Sequence, residues 1–301
     1  MKRLLWMLLA AAIVGPAAAG EWNGPIIDAH SQVDQHMDLR RIVPVLDAAG
    51  VNKVILAARG RVNPYQIAGL ADAHPKRIVA SVRTKGWPWA KNKPKFYKLL
   101  NMQLGMAGFR AMAELILYHA QKGDKAPEWD VAADSPQATA ALDAAYSRGW
   151  PAVLHYEFAA DGSRDSRMAE LEGLLAAKPD HPFVLIHMAQ LEAKEAGRLL
   201  AANGNLHFIT SHSNSVTVPK SNQPWVNLFD GPDLKPEWKA LITQHPDRFV
   251  LGFDNVFADH WGDYYIDQVK LWRGALAGLP DAVAHAVAHG NAERLWKLNP
   301  L

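Results

Sequence analysis

Eight short apolar runs rich in Val, Ile and Phe recur along this 301-residue chain, separated by segments whose apolar residues have helical spacing. The runs are Ile26–His30, Lys53–Ala57, Ile78–Val82, Ala107–Ala113, Ala152–Tyr156, Phe183–His187, Leu206–Thr210 and Phe249–Phe253. Helical spacing is clearest over Leu39–Ala49, Ala138–Arg148, Met168–Ala177 and Ala193–Ala202. Buried strands alternating with helices imply a parallel sheet, because parallel neighbours need a crossover connection. Eight such units predict an α/β fold, a (β/α)8 TIM barrel, as a single domain over 21–301. A doubly wound open sheet is the alternative, but no glycine-rich dinucleotide turn follows the first run. Gly50, Gly149 and Gly204 follow helical segments and are expected to be left-handed helix caps.

The first twenty residues stand apart. Lys2 and Arg3 precede an apolar run over Leu4–Val14, then Gly15, Pro16 and small residues up to Gly20. This is the pattern of a signal peptide over 1–20, and the run is shorter than the roughly 20 residues of a comfortable span. A periplasmic or secreted protein without a stable membrane anchor is expected; an uncleaved anchor is the alternative. The chain has no cysteine, which fits an oxidising compartment without requiring one. Its formal charge of +2 falls to zero once Lys2 and Arg3 are removed, which gives no reason to expect a nucleic-acid partner. The hydrophobic share of 49% excludes disorder and supplies a large core.

Polar residues terminate the apolar runs. The first ends in Asp28-Ala29-His30-Ser31-Gln32, the fourth runs into Glu114, the fifth ends in His155, the sixth in His187, and the eighth in Asp254. Barrel closure gathers these ends around one mouth, the face where barrel enzymes keep their sites. Neutral imidazole and carboxylate suit zinc, manganese or iron, and a site with an open position activates water. Single histidines at such positions are commonly structural, and Asp254 also suits a helix N-cap. Arg59 and Arg83 follow the second and third runs and are candidate anchors for a carboxylate or lactone-derived small-molecule substrate. Two long connections, Lys85–Gly105 and Ser211–Pro246, leave the same face and are candidate lids or plain surface decoration. His212, Trp87 and Trp225 lie in them but are not assigned to the site.

Asp28-Ala29-His30, His155, His187, Gly252-Phe253-Asp254 and Gly290-Asn291-Ala292-Glu293-Arg294-Leu295, in this order, resemble the amidohydrolase superfamily. The nearest branch is the amidohydrolase-related group that includes aminocarboxymuconate semialdehyde decarboxylase and lactone hydrolases. The resemblance runs from Ile26 to Leu298. It implies a hydrolase or decarboxylase with a divalent metal, zinc foremost, held by His30, Glu114, His155, His187 and Asp254. It implies further that Asp254 moves a proton of water and that His187 orients the substrate oxygen. One departure stands out: the usual His-x-His after the first strand is His30-Ser31-Gln32 here. Gln32 either offers a weaker amide oxygen to a metal or bonds substrate in a metal-independent lactone hydrolase. A barrel that binds a ligand without catalysis is the reading from outside the enzymes.

Overall fold

The computed structural model describes residues 20–122, 127–160, 162–221 and 223–301. The proposed signal peptide therefore lies, but for Gly20, outside the described residues. Strands β1 (Ile27–Val33), β2 (Lys53–Ala58), β3 (Ile78–Val82) and β4 (Phe109–Met112) form one parallel sheet in that order. Strands β5 (Leu115–Ile116), β6 (Ala152–His155), β7 (Phe183–Leu185), β8 (Leu206–Ile209) and β9 (Phe249–Val250) form a second. Only Ala113 and Glu114 separate β4 from β5, so the two are halves of one barrel strand. Ala29 N donates to Leu251 O at 3.0 Å and Asp254 N to His30 O at 2.7 Å, which closes the circle between β1 and the chain after β9.

Each barrel strand is followed by a helix: α1 (Ile42–Ala49), α2 (Pro64–Ala73), α3 (Pro94–Leu104), α4 (Pro136–Arg148), α5 (Arg164–Ala177), α6 (Ala193–Ala202), α7 (Pro236–Gln244) and α8 (Asp263–Ala277). The eight-unit (β/α)8 barrel is thus complete. The helices bury their apolar stripes against the outer faces of the strands, as Ile42, Val45, Leu46 and Ala49 of α1 do. Inside the barrel, Ile27, Ala29, Ile55, Val79, Ala111, Val153, Val184, Ile186, Ile209 and Val250 form a separate apolar cluster. Full burial of each larger side chain stabilises by about 1.5–3 kcal/mol. Ala292, Leu295 and Trp296 of the C-terminal helix seal the bottom of this cluster. Asn291 Nδ2 fixes that helix by donating to Pro246 O and Phe249 O, both at 2.8 Å. The opposite end stays polar and carries the site.

Gly50 (φ 69°) and Gly149 (φ 61°) are left-handed caps, but Gly204 is not. Helix α6 ends on Asn203 in extended geometry, with φ −129°. Leu199 O accepts from both the backbone N and the side-chain amide of Asn203, each at 2.9 Å, so the helix ends on an asparagine cap without a left-handed glycine. The two long connections hold α3 and α7, the barrel helices of their own units, together with short helical turns and a two-stranded hairpin. Gly252 marks a close approach: a Cβ there would meet Ile209 Cγ2 at 2.6 Å and His30 N at 3.4 Å.

Candidate active site

The first strand is irregular where it reaches the mouth. Its register against β2 shifts between Asp28 and Ser31, a bulge that changes the phase of the side chains. Ile27 and Ala29 face the lumen below it, and Gln32 reaches into the mouth above it. Asp28 points away from the lumen and fixes the bulge. It accepts hydrogen bonds from His30 N (3.2 Å), Phe253 N (3.1 Å), Ser31 Oγ (2.6 Å) and Tyr265 OH (2.9 Å). Burial raises its pKa to about 7 against the opposing effect of these donors.

Asp254 stands at the centre of the mouth with four polar side chains around it. Gln32 Nε2 donates to Oδ1 at 2.6 Å, and His30 Nε2 lies 3.4 Å from the same oxygen. His212 Nε2 is 3.1 Å and His187 Nε2 3.6 Å from Oδ2. Burial alone would raise this carboxyl, but the His212 hydrogen bond and the His30 and His212 rings hold it far below the usual carboxylate range. Asp254 caps no helix. Its φ of 49° is left-handed, as are those of His187 (54°) and His212 (57°). Such conformations cost on the order of 1–3 kcal/mol each and persist only where the surroundings enforce them.

The left-handed turns explain how two of the histidines reach the lumen. Ile186 and Ile209 face inward, so plain strand alternation would turn His187 and His212 away. The turn at each residue re-aims its ring, and the two rings stack with centroids 4.6 Å apart. Ser211 Oγ lies 2.9 Å from His187 Nδ1 and fixes that ring's orientation. Trp225 covers both rings at 4.8 and 5.4 Å. Burial pushes the His187 pKa well below its ordinary value, so this imidazole is neutral.

Glu114 and His155 form the other half of the mouth. His155 Nδ1 is 2.6 Å from Glu114 Oε2, and its Nε2 is 2.9 Å from Glu157 Oε1. Burial opposes the charged ring, yet the two carboxylates raise its pKa to about 9. Lys85 ion-pairs with Glu114, and Lys122 Nζ meets both oxygens of Glu157 at 2.7 and 2.8 Å. Burial would raise Glu114, but Lys85 and His155 hold it well below its ordinary value. The row of alternating charges is therefore Lys85, Glu114, His155, Glu157 and Lys122. Gln32 Nε2 links it to Asp254 through a 3.2 Å hydrogen bond to Glu114 Oε1.

His30, Gln32, Glu114, His155, His187 and Asp254 thus come together, whereas Arg59 and Arg83 stand on the rim. The Arg59 guanidinium lies over the Phe257 ring at 4.6 Å, and Arg83 Nη1 donates to Gly60 O at 2.7 Å. Sequence reasoning left His212, Trp225 and Lys85 outside the assigned site, although Lys85 follows the third run as Arg83 does, and it missed Lys122 and Glu157. His212 sits two residues beyond the end of the seventh apolar run, a signal of the same kind as His187, and Glu157 lies two residues beyond His155. Lys122 and Trp225 carry no such signal, because only the folded connections bring them in.

The donors fit a divalent metal. Two sets of three, Glu114 with His155 and His187, and His187 with His212 and Asp254, each have ligand atoms within 4.8 Å of one another. His30 Nε2 is buried without a hydrogen-bond partner among the described residues, a cost that a ligand would remove. Imidazole nitrogen and carboxylate oxygen are donors for zinc, manganese and iron.

A family model described as Amidohydrolase matches residues 25–298. Among solved structures, an uncharacterized TIM-barrel protein from Bordetella bronchiseptica has a TM-score of 0.60 at 15% identity, covering 91% of this chain and 99% of its own. A 2,6-dihydroxybenzoate decarboxylase complexed with 2,6-dihydroxybenzoate has a TM-score of 0.56 at 15% identity, over 92% of this chain and 99% of its own. Molinate hydrolase has a TM-score of 0.51 at 12% identity, over 91% of this chain and 73% of its own. At these identities the likeness speaks for the fold. No curated protein matches the chain. The match over nearly all of the described barrel makes this chain a member of the amidohydrolase family, an enzyme of amidohydrolase type.

Proposed function

We propose that this protein hydrolyses a small ester, lactone or amide that carries a carboxylate, with a divalent metal at the barrel mouth. The observation that carries this reading is the Asp254 carboxylate, kept ionised at neutral pH by the histidines around it. An ionised carboxylate at this place accepts the proton that water loses as its oxygen attacks the substrate carbonyl. The carbonyl carbon gains a bond to that oxygen and loses its bond to the leaving group, which takes the proton back from Asp254. A divalent metal bound among these donors supplies Lewis acidity to the carbonyl and to water. His187 orients the substrate oxygen, and Trp225 walls the site from bulk solvent. Arg59 and Arg83 anchor the substrate carboxylate from the rim. Arg83, already lowered by burial, is lowered further by Arg59, so an anion placed between them relieves their repulsion.

Decarboxylation is the second reading, favoured by His155. Held protonated between Glu114 and Glu157, this ring is an acid able to protonate the carbon that retains the electron pair when carbon dioxide leaves. A structural neighbour is a decarboxylase complexed with an aromatic carboxylate, which agrees with that chemistry. Export, with removal of residues 1–20, is part of the same proposal. No helix among the described residues is long and apolar enough to cross a membrane.

The test is elemental analysis of protein purified without chelator, followed by a screen of lactones, esters, amides and aryl carboxylic acids. Release of titratable acid from an ester or lactone, or of an amine from an amide, without carbon dioxide supports hydrolysis, and carbon dioxide release transfers the assignment to decarboxylation. No turnover with zinc, manganese or iron supplied overturns both.

A further inference from the structure

Resting on the hydrolytic reading above, we infer that Lys85 is a catalytic residue, whose ammonium donates to the carbonyl oxygen of the substrate and holds the negative charge that develops there. The connection after β3 brings this ammonium to Glu114 inside the mouth, with 11% of the side chain exposed.

Two lysines enter the mouth, and they differ in how many of their protons are engaged. An ammonium has three N–H donors. Lys122 Nζ meets Glu157 Oε1 at 2.7 Å, Glu157 Oε2 at 2.8 Å and Gln223 Oε1 at 3.1 Å, so its donors are all engaged. Lys85 Nζ has Glu114 Oε1 as its one acceptor among the described residues. Two N–H groups of a nearly buried cation thus face no protein acceptor, and a charged donor left unmet is costly. Glu114 is already crowded: His155 Nδ1 lies 2.6 Å from Oε2, and Gln32 Nε2 shares Oε1 at 3.2 Å. Burial lowers the pKa of the Lys85 amine, Glu114 and Asp254 work against that, and Arg59 adds to it. The ammonium is also near enough to His30 to bear on its titration. A carbonyl presented to Asp254 therefore has its oxygen in the field of this cation.

The chain on either side holds Lys85 in place. Thr84 Oγ1 donates to Glu114 O at 2.7 Å, and Arg83 N donates to Gln103 Oε1 at 2.8 Å. Gly86, with a φ of 108° that favours glycine, turns the chain away directly after Lys85. A donor fixed before the charge appears is what electrostatic catalysis requires. It acts without giving up its proton. As the water oxygen bonds to the carbonyl carbon, the π pair moves onto the carbonyl oxygen and the proton of water goes to Asp254. When that pair returns, the bond to the leaving group breaks, and the leaving group takes the proton from Asp254. The ammonium is unchanged at the end. Neutral His187 orients the same oxygen, whereas Lys85 brings a full positive charge to it.

Lys85 also neutralises Glu114, and the test separates that role from catalysis. Steady-state kinetics on the ester, lactone or amide identified by the screen compare wild type, Lys85→Met, Glu114→Gln and the double variant, with circular dichroism and metal content measured on each. The expected result for Lys85→Met is a fall in kcat of about 10²–10³-fold, the loss typical of one oxyanion donor, with KM within a few-fold of wild type. In the Glu114→Gln background, Lys85→Met is expected to cost a similar factor. A cost that vanishes in that background shows that the ammonium does no more than neutralise Glu114, and overturns the inference. A rise in KM with kcat unchanged overturns it too, because uniform binding does not speed the chemical step. If Lys85→Met does not fold, Lys85→Gln, which keeps an N–H for Glu114 and loses the charge, is read in the same way. A hydrolase indifferent to Lys85 overturns this inference alone. A wild-type protein that releases carbon dioxide instead, or turns nothing over, overturns the hydrolytic reading and this inference with it.

Discussion

The Gln32 side-chain amide donates to Asp254 Oδ1 at 2.6 Å, tying the first strand of the barrel to the loop that follows the last. The same nitrogen reaches Glu114 at 3.2 Å, so one neutral donor stands between two buried carboxylates. The opposite amide orientation would aim an oxygen at both of them, and the carboxylates therefore dictate which way the side chain points. Replacing it by imidazole tests what this position does. Gln32→His is expected to tighten zinc binding by on the order of tenfold, a change comparable to that from a supporting partner of a metal ligand. Calorimetry reads it directly, and unchanged affinity would show that position 32 no longer faces the ion.

Asp254→Asn keeps the shape of the side chain and removes its charge. General-base contributions are about 10²–10⁴-fold, and turnover of any substrate found should fall at least that far. Circular dichroism should show the barrel intact. Turnover within a few-fold of wild type would sink the proton-transfer role.

His155 couples stability to alkaline pH. Its folded pKa of about 9 exceeds the ordinary value of 6.5, so the folded protein binds the extra proton between them. The sign follows: this contribution is full below pH 6.5 and is lost as pH rises through 9. Glu157→Gln removes one of the two carboxylates that raise the ring. In metal-free protein, the fall in melting temperature between pH 6.5 and 9 should become shallower in that variant. An identical slope would mean that Glu157 does not hold the proton on His155.

Gly252→Ala tests how closely the strands must approach. Its Cβ would lie 2.6 Å from Ile209 Cγ2 and 3.4 Å from His30 N, too close without movement of β1 or β8. Overpacking of this kind costs about 1–3 kcal/mol, and it should lower the melting temperature. Because His30 and Asp254 flank the contact, metal affinity should fall as well. A variant as stable as wild type would show that the barrel yields here without strain.

Much of this molecule is legible in its sequence. Stretches such as Val54–Ala58 and Ile78–Ala80 are apolar throughout because both faces of a barrel strand are buried, and that is a local pattern. Strand ends are local too, so the approach of His30, Glu114, His155, His187 and Asp254 to one mouth follows once the barrel closes. Which way each side chain turns does not follow. Strand alternation would aim His187 and His212 out of the lumen, and only the left-handed backbone enforced by the closed mouth turns them in. The bulge in β1 is likewise set by pairing with β2 and by the grip of Phe253 N and Tyr265 on Asp28. Lys85 and Lys122 look like ordinary solvated lysines in the chain. Folding places them against Glu114 and Glu157, where the low dielectric strengthens each pairing and fixes the two carboxylates that grip His155. Sequence periodicity determined the barrel and the end of it that carries chemistry; the partners of each donor, and so the chemistry, depend on contacts between residues far apart in the chain.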